Sequence, residues 1–372
     1  MSKIKFKESF RRKLLFSAYS MELGGIETAL VSLLNNIDNN KYHVTLILEK
    51  KQGVFLENLS NNIKILEYTP SSSQNVVLRK ILNLTKRFTF IVMYKNKFDF
   101  AASFATYSLP GSFIARTASK NSALWVHNDY KELYKDDVTQ IRSFFEGLNY
   151  NRFKSIIFVS NQNKENFTSI FSDAKAELMV CNNLIDYKKI IQKSNEKIDF
   201  LVPGNTKVFL NIGRHEENQK KLTRIIEVAK KLKEEKYNFK ILFIGNGPDT
   251  ELYKKLVTGN GLEDVIIFLG IKQSPFPYFK ISDAVVLSSD YEGFPVVFME
   301  ALVLNIPIIT TNVSDAKKEI ENKFGIVTSK DSEAIYIAMK EVIENGYEIK
   351  EKFDVKKFNK NIMDKLETIF DN

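Results

Sequence analysis

The sequence predicts two doubly wound α/β domains, and three observations carry that expectation. Short apolar runs of strand character alternate with segments of helical periodicity, which is the pattern of parallel βαβ units. The alternation runs through the first half and restarts near residue 207. A length of 372 residues suits two domains of about 150 residues each.

In the first half Leu14–Ala18 reads as a buried strand. A turn at Gly24-Gly25 leads into a helix over Ile26–Ile37, where Ile26, Leu30, Leu33, Leu34 and Ile37 recur at helical spacing. Tyr42–Leu48 and Ile63–Leu66 are the next strands. Residues 76–97 form a helical segment with Arg79, Lys80, Lys86, Arg87, Lys95 and Lys97 and no acid. Phe98–Phe104, Ala123–Val126 and Ser155–Val159 complete this set. The polar stretch 187–206 reads as the linker, giving domains at 1–186 and 187–353. In the second half Val208–Ile212, Phe239–Ile244, Val265–Leu269, Ala284–Leu287 and Pro307–Thr310 are strands, and Leu222–Leu232 and Thr250–Val257 are helices. Two such domains facing one another hold a ligand in the cleft where the carboxyl ends of their strands meet.

Composition narrows the function. Apolar residues at 44% and charged residues at 27% are ordinary for a soluble globular chain. One Cys cannot form an internal disulfide, and no stretch of about 18 uncharged apolar residues could cross a membrane as a helix. No hydrophobic run follows the basic N-terminus, so a signal peptide is not expected and the chain reads as cytoplasmic. Residues 1–200 hold 29 Lys/Arg against 19 Asp/Glu, whereas residues 201–372 hold 25 against 26. All the excess positive charge therefore sits in the first half. It suits nucleic acid, an anionic membrane surface or a phosphorylated acceptor, or is simply a basic surface.

No GxxxxGK[ST] loop, no GxGxxG after the first strand, no HExxH and no GxSxG elbow is present. One Cys and three His cannot build a zinc cage. An Asp-x-Asp pair for a metal-held diphosphate is also missing. The expected ligand is held by protein charges and backbone amides, with no metal and no cofactor.

The segment Leu287–Ala301, LSSDYEGFPVVFMEA, carries the most chemistry. A strand end and a turn through Gly293 lead into a helix beginning near Pro295, a residue suited to the first helical position. The N–H groups of Val296 and Val297 then face an anion at the helix start. Glu300 would repel a diphosphate, so it suits a ribose diol, and Glu292 can do the same for a sugar ring. Glu292 and Glu300 form E-x7-E inside EGFP-x4-E, which strongly resembles the nucleotide-sugar signature of family-4 retaining glycosyltransferases of the GT-B fold. The resemblance implies two Rossmann-like domains, with Gly293, Phe294, Pro295, Val296 and Glu300 at the donor.

Arg214, at a strand end, and Lys220, at the start of the next helix, are two cations that can neutralise a departing diphosphate. The resembling family uses an Arg and a Lys in this way, although here Lys221 replaces the usual Gly after the Lys. Gly24 and Gly25 permit close backbone approach to a phosphate and match the family's first-domain loop. The resemblance places His127 at the donor hexose near the reacting carbon, and the backbone at Ile271 and Lys272 at the nucleotide base. Gly245-Asn246-Gly247-Pro248 matches a structural turn, and His43 and His215 are not expected to be catalytic. The resemblance also returns the C-terminal helix, within 354–372, to the first domain and leaves 1–12 as an extra basic arm.

The function so implied is metal-independent transfer of a hexose or N-acetylhexosamine, with retention, from a UDP-sugar or related nucleotide-sugar. The acceptor is a glycan, and the basic first half suggests a lipid-linked saccharide with peripheral contact to an anionic membrane. High Lys, Asn and Ile usage points to an A/T-rich bacterial genome and to capsule or other surface polysaccharide synthesis. Two rivals remain. A nucleotide-sugar epimerase shares the fold but needs cleft acid/base groups that the sequence does not place. A basic nucleic-acid-binding protein fits the charge but lacks a recognised motif, so no nucleic-acid partner is expected.

Overall fold

The computed structural model describes residues 11–371 apart from 23, 199, 201 and 203. Of the basic arm expected over 1–12, all but Arg11 and Arg12 lies outside the described residues. Two compact units are present, one running to Leu184 and taking in the chain from Phe358 onward, the other Ile185–Lys357.

The first unit holds β1 (Arg12–Ala18), β2 (Tyr42–Leu48), β3 (Lys64–Glu67), β4 (Phe100–Ser103), β5 (Ser122–Val126), β6 (Ser155–Phe158) and β7 (Glu177–Val180). They form one parallel sheet in the order β3-β2-β1-β4-β5-β6-β7. Its helices are α1 (Gly25–Asn36), α2 (Val76–Tyr94), α3 (Leu109–Ala118), α4 (Tyr130–Leu133), α5 (Val138–Gly147) and α6 (Asn161–Ile170). The central strands are apolar on both faces, so both faces need helical cover. On one face Leu15, Leu124, Ile156 and Phe158 pack with Ile114 of α3, Phe145 of α5 and Phe167 of α6.

The second unit begins with α7 (Tyr187–Lys193), within the stretch expected to be linker. Asp186 caps this helix by accepting from Lys189 N at 3.1 Å, and Ile190 is buried. The polar composition of the stretch hides that single anchoring residue. The chain continues through β8 (Lys207–Ile212), α8 (Glu217–Lys220), α9 (Leu222–Glu234), β9 (Phe239–Ile244), α10 (Thr250–Gly259) and β10 (Ile266–Gly270). It then forms α11 (Phe276–Lys280), β11 (Ala284–Leu287), α12 (Val296–Val303), β12 (Ile308–Thr311), α13 (Ala316–Glu319), β13 (Gly325–Thr328) and α14 (Ser332–Asn345). These strands make a parallel sheet ordered β10-β9-β8-β11-β12-β13. Phe209, Ile241 and Phe243 of the sheet pack with Ile225, Ile226 and Leu232 of α9 and with Ile335 and Met339 of α14.

The last helix, α15 (Val355–Asp371), seats Phe370 in the first unit, 5.0 Å from Phe100 and 5.6 Å from Tyr42 between ring centroids. Asp371 accepts from Arg12 at 2.6 Å and Glu367 pairs with Lys41 at 3.0 Å, which fixes the helix end across β1 and β2.

In both sheets the strand order reverses beside the first strand, between β1 and β4 and between β8 and β11. Loops leaving the carboxyl ends diverge there and open a crevice, the usual ligand position in such sheets.

Candidate functional site

In the second unit the loops after β8 and β11 carry most of the residues singled out above. Asn211, buried near the end of β8, donates from Nδ2 to the Val286 carbonyl of β11 at 2.7 Å and ties the two strands together at the reversal point. The chain then passes through Gly213, Arg214 and His215 into α8, which ends at Lys220. Lys221 adopts a left-handed φ of 51° and α9 begins. Lys220 therefore closes one short helix rather than opening the next, contrary to expectation. The backbone conformation at Lys221 is the one that glycine favours, so the lysine is accommodated there at a cost in backbone strain.

That corner is docked on the loop after β11. Ser288 Oγ donates to the carbonyls of Lys220 at 2.8 Å and of Lys221 at 2.9 Å. Arg224 donates to the Ser288 carbonyl at 2.8 Å and pairs with Asp290 at 2.7 Å. Asp290 is thus occupied as a strut. Lys220 Nζ reaches Glu292 Oε1 at 2.5 Å, and Ser289 Oγ donates to the same oxygen at 2.7 Å. The two charged side chains are largely shielded, 18% and 8% exposed respectively. Arg214 differs: its side chain is 71% exposed, with Glu216 the nearest carboxylate at 3.6 Å.

The loop enters α12 one residue later than expected. Pro295, at φ −62° and ψ 123°, precedes the helix, and its carbonyl accepts from Phe298 N at 3.0 Å. No side chain caps α12. The N–H groups of Val296 and Val297 thus stand at the partly positive helix end with no intrahelical partner. Thr311 Oγ1 donates to the Ser289 carbonyl at 2.6 Å and the Ser314 hydroxyl donates to that of Gly293, so the Gly293–Phe294 backbone is held from the β12 side. Phe294 itself is buried against Phe298 and can offer a ligand only backbone.

Glu300, one turn into α12, is partly buried and has no hydrogen-bond or ion-pair partner among the described residues. Desolvation pushes its carboxyl up to about 7. Ile271 and Lys272 follow β10. Ile271 is exposed, and the Lys272 ammonium lies 5.9 Å from the Tyr278 ring centroid. Leu269, Lys272, Phe200, Pro277 and Tyr278 help line a hollow of about 340 Å³ in this unit.

His215 is structural. Its Nδ1 meets Thr250 Oγ1 at 2.9 Å, its ring is packed among Phe243, Tyr253 and Phe268, and a Cβ on Gly247 would collide with its backbone. His43 on β2 faces solvent.

In the first unit Gly24 caps α1 and Gly25 opens it. The Glu27 carboxylate folds back to where a Cβ on Gly24 would sit, and burial raises its pKa. A carboxylate in that position opposes a phosphate and suits a hydroxyl. Sequence reasoning missed Glu27, although a Glu three residues after a helix cap is a recognisable spacing. His127 follows β5 and is 6% exposed, with its ring centroid 4.5 Å from that of Phe104. Desolvation lowers its pKa to about 3, so the imidazole is neutral, and its Nε2 has no hydrogen-bond partner among the described residues. Arg224, Ser288 and Ser289 were also missed. Arg224 and Ser288 act on backbone and a charge 64 to 68 residues away, whereas Ser289 acts on Glu292 only three residues on.

Residues 192–360 match the family described as Glycosyl transferases group 1. The matched stretch is slightly less than half of the chain. It includes β8 to β13 and the whole of the Arg214–Glu300 site. An uncharacterized glycosyltransferase of Methanocaldococcus jannaschii is 29% identical over 65% of this chain and 60% of its own length. The N-acetylgalactosamine-N,N'-diacetylbacillosaminyl-diphospho-undecaprenol 4-alpha-N-acetylgalactosaminyltransferase of Campylobacter jejuni is 23% identical over 94% of this chain and 96% of its own. Among solved structures, Anabaena HepE in complex with UDP and glucose superposes with a TM-score of 0.77 at 19% identity, covering 96% of this chain and 100% of that one. The chain thus consists of two parallel-sheet α/β domains with GT-B glycosyltransferases as structural neighbours.

Proposed function

We propose that the chain is a retaining, metal-independent glycosyltransferase. It moves a hexose or N-acetylhexosamine from a UDP-sugar to a glycan acceptor, lipid-linked, in bacterial surface polysaccharide synthesis. The observation that carries the reading is the Lys220–Glu292 pair beside the uncapped start of α12, at the strand-order reversal of a group 1 domain.

Each group has a task. Arg214, Lys220 and the N–H groups of Val296 and Val297 compensate the charge that grows on the diphosphate as its bond to the sugar breaks. An incoming diphosphate shares Lys220 with Glu292, which is then positioned to hold sugar hydroxyls together with the Gly293–Phe294 backbone. Glu300 accepts from the ribose diol, and the backbone at Ile271 and Lys272 holds the base. On the first unit, the neutral His127 and the Gly24-Gly25 loop are assigned to the hexose and its hydroxyls. No side chain among the described residues is assigned as a nucleophile. The reading therefore has the acceptor oxygen attack the face the phosphate leaves, its proton passing to a departing phosphate oxygen. The cations and amides do the work that a divalent metal would do elsewhere.

The acceptor reading draws support from the Campylobacter relative, whose name specifies a diphospho-undecaprenol acceptor. It sets the chain in the cytoplasm at the inner face of the membrane. The test is to incubate the full chain with UDP-sugars and a lipid-diphosphate-linked saccharide in EDTA. UDP release with a product in the donor's anomeric configuration is expected. An inverted anomer, or activity restored only by a divalent cation, would overturn the mechanism.

A further inference from the structure

Lys220, assigned above to the diphosphate, ends a helix that cannot hold itself. α8 has four residues, and a single turn is not stable on its own hydrogen bonds. Glu216, at its N-cap position, supplies no side-chain cap. The Glu217 N–H donates instead to Asp249 Oδ2, 32 residues further on, at 2.7 Å. Asp249 itself occupies the N-cap position of α10, where a carboxylate ordinarily accepts from its own helix. It makes no side-chain cap there. Its carboxylate serves α8.

The turn that precedes α10 is fitted to the same loop. A Cβ on Gly245, which has φ 145°, would fall on the Gly213 carbonyl, and one on Gly247 would fall on that of His215. Gly245–Pro248 therefore lies directly against the backbone that carries Arg214. His215 N donates to the Asn246 carbonyl at 3.0 Å, and Asp249 N donates to the His215 carbonyl at 3.1 Å. Glu217, once placed, accepts from Thr223 Oγ1 at 2.6 Å and lies 3.9 Å from Lys221 Nζ, across the left-handed corner.

The end of α8 is thus held by Ser288 and its start by Asp249. We infer that Asp249 is a positioning residue for transfer: capping α8 from another element, it sets where the Lys220 ammonium stands against the charge that grows on the diphosphate. Asp249 has no contact with the diphosphate in this account, since a carboxylate would repel it. A fixed cation stabilises a transition state only if it is already in place, and a misplacement of about 1 Å costs about 100-fold in rate. The inference rests on the assignment of Lys220 to the diphosphate.

The test combines hydrogen exchange of the ligand-free full chain with calorimetric titration by UDP. Asp249→Ala should speed exchange of the Glu217 to Lys221 amides about tenfold or more, leave β8 and β9 unchanged, and weaken UDP about tenfold. Asp249→Asn keeps an oxygen for the Glu217 N–H and should stay within about threefold of the parent in both readouts. In a Lys220→Ala background, Asp249→Ala should weaken UDP no further, which a general loss of stability would not reproduce. Four results would overturn the inference: unchanged exchange in Asp249→Ala, UDP losses that add to those of Lys220→Ala, tighter UDP binding once the carboxylate is removed, or Asp249→Asn as weak as Asp249→Ala. Failure of the parent chain to bind UDP would count against the donor reading instead, and the exchange measurement, which needs no ligand, still decides whether Asp249 holds α8.

Discussion

Lys220 and Glu292 stand 72 residues apart in sequence and meet at 2.5 Å. The proposed function assigns them to different parts of the donor, the cation to the diphosphate and the carboxylate to the sugar. The fold joins them into one pair, so the site holds its own counter-ion before any ligand arrives. On the proposed reading, a diphosphate entering there would exchange one anionic partner of Lys220 for another and keep the shielded ammonium compensated.

Removing one member of that pair leaves the other stranded. Glu292→Ala is expected to destabilise the second unit by about 1–3 kcal/mol, less than for a fully buried pair. It should also abolish transfer. Glu292→Ala/Lys220→Ala should recover part of the stability and none of the activity. Urea unfolding and turnover on the same preparations check both outcomes.

Arg214 should behave differently, because its side chain is 71% exposed and makes one distant ionic contact. Arg214→Ala is expected to leave stability within about 0.5 kcal/mol. Transfer should fall by about 100-fold or more through loss of charge compensation at the leaving diphosphate. Thermal unfolding paired with kcat/KM separates the two effects.

Glu300 gives a pH signature. Its carboxyl, ordinarily near 4.5, is raised to about 7 by desolvation. Between those values the folded chain keeps a proton that the unfolded chain has released, so this group costs stability as pH rises and costs most above pH 7. Glu300→Gln should raise Tm at pH 8 and leave it unchanged at pH 4. UDP affinity of the parent chain should rise from pH 6 to pH 8 as the carboxylate forms, and that of Glu300→Gln should be flat. Scanning calorimetry and isothermal titration at the two ends of the range measure these.

His127 gives the opposite signature. Its pKa falls from the ordinary 6.5 to about 3 on burial, so the unfolded chain takes up a proton that the folded chain refuses. Stability from this group is complete above pH 6.5 and is lost as pH falls toward 3. His127→Gln should flatten that part of the acid unfolding curve. It should also lower transfer without removing any step near pH 6.5 from the rate profile, because the imidazole is neutral on both sides of that pH.

The sheets were legible where strands are buried on both faces. Tyr42–Leu48, Phe239–Ile244 and Ala284–Leu287 are mostly apolar runs, broken only by His43, Thr45 and Lys240, and their bounds match the observed strands. β7 and β13 were not legible, since each has four residues and the burial of both is incomplete. The helix over 76–97 stops at Tyr94, just before Asn96 takes a left-handed φ of 53°, a backbone choice with weak sequence marking.

Within the site, Glu292, Gly293, Pro295, Val296 and Glu300 were readable together because they share one loop and the helix it enters. The ion pair of Lys220 with Glu292 and the strut from Arg224 to Asp290 depend on β8 lying beside β11, which is a tertiary fact. The fold-back of Glu27 onto Gly24 was local but unread, and it changes the ligand chemistry suited to that loop from phosphate to hydroxyl.

The central claim is that the second unit holds a nucleotide-sugar without a metal, and calorimetric titration of the full chain with UDP-, GDP- and ADP-sugars, with and without EDTA, tests it most directly. The account predicts saturable binding of the UDP-sugars, unchanged by EDTA and strongly weakened in Arg214→Ala. Absence of binding by all three classes, or binding that EDTA abolishes, would contradict it.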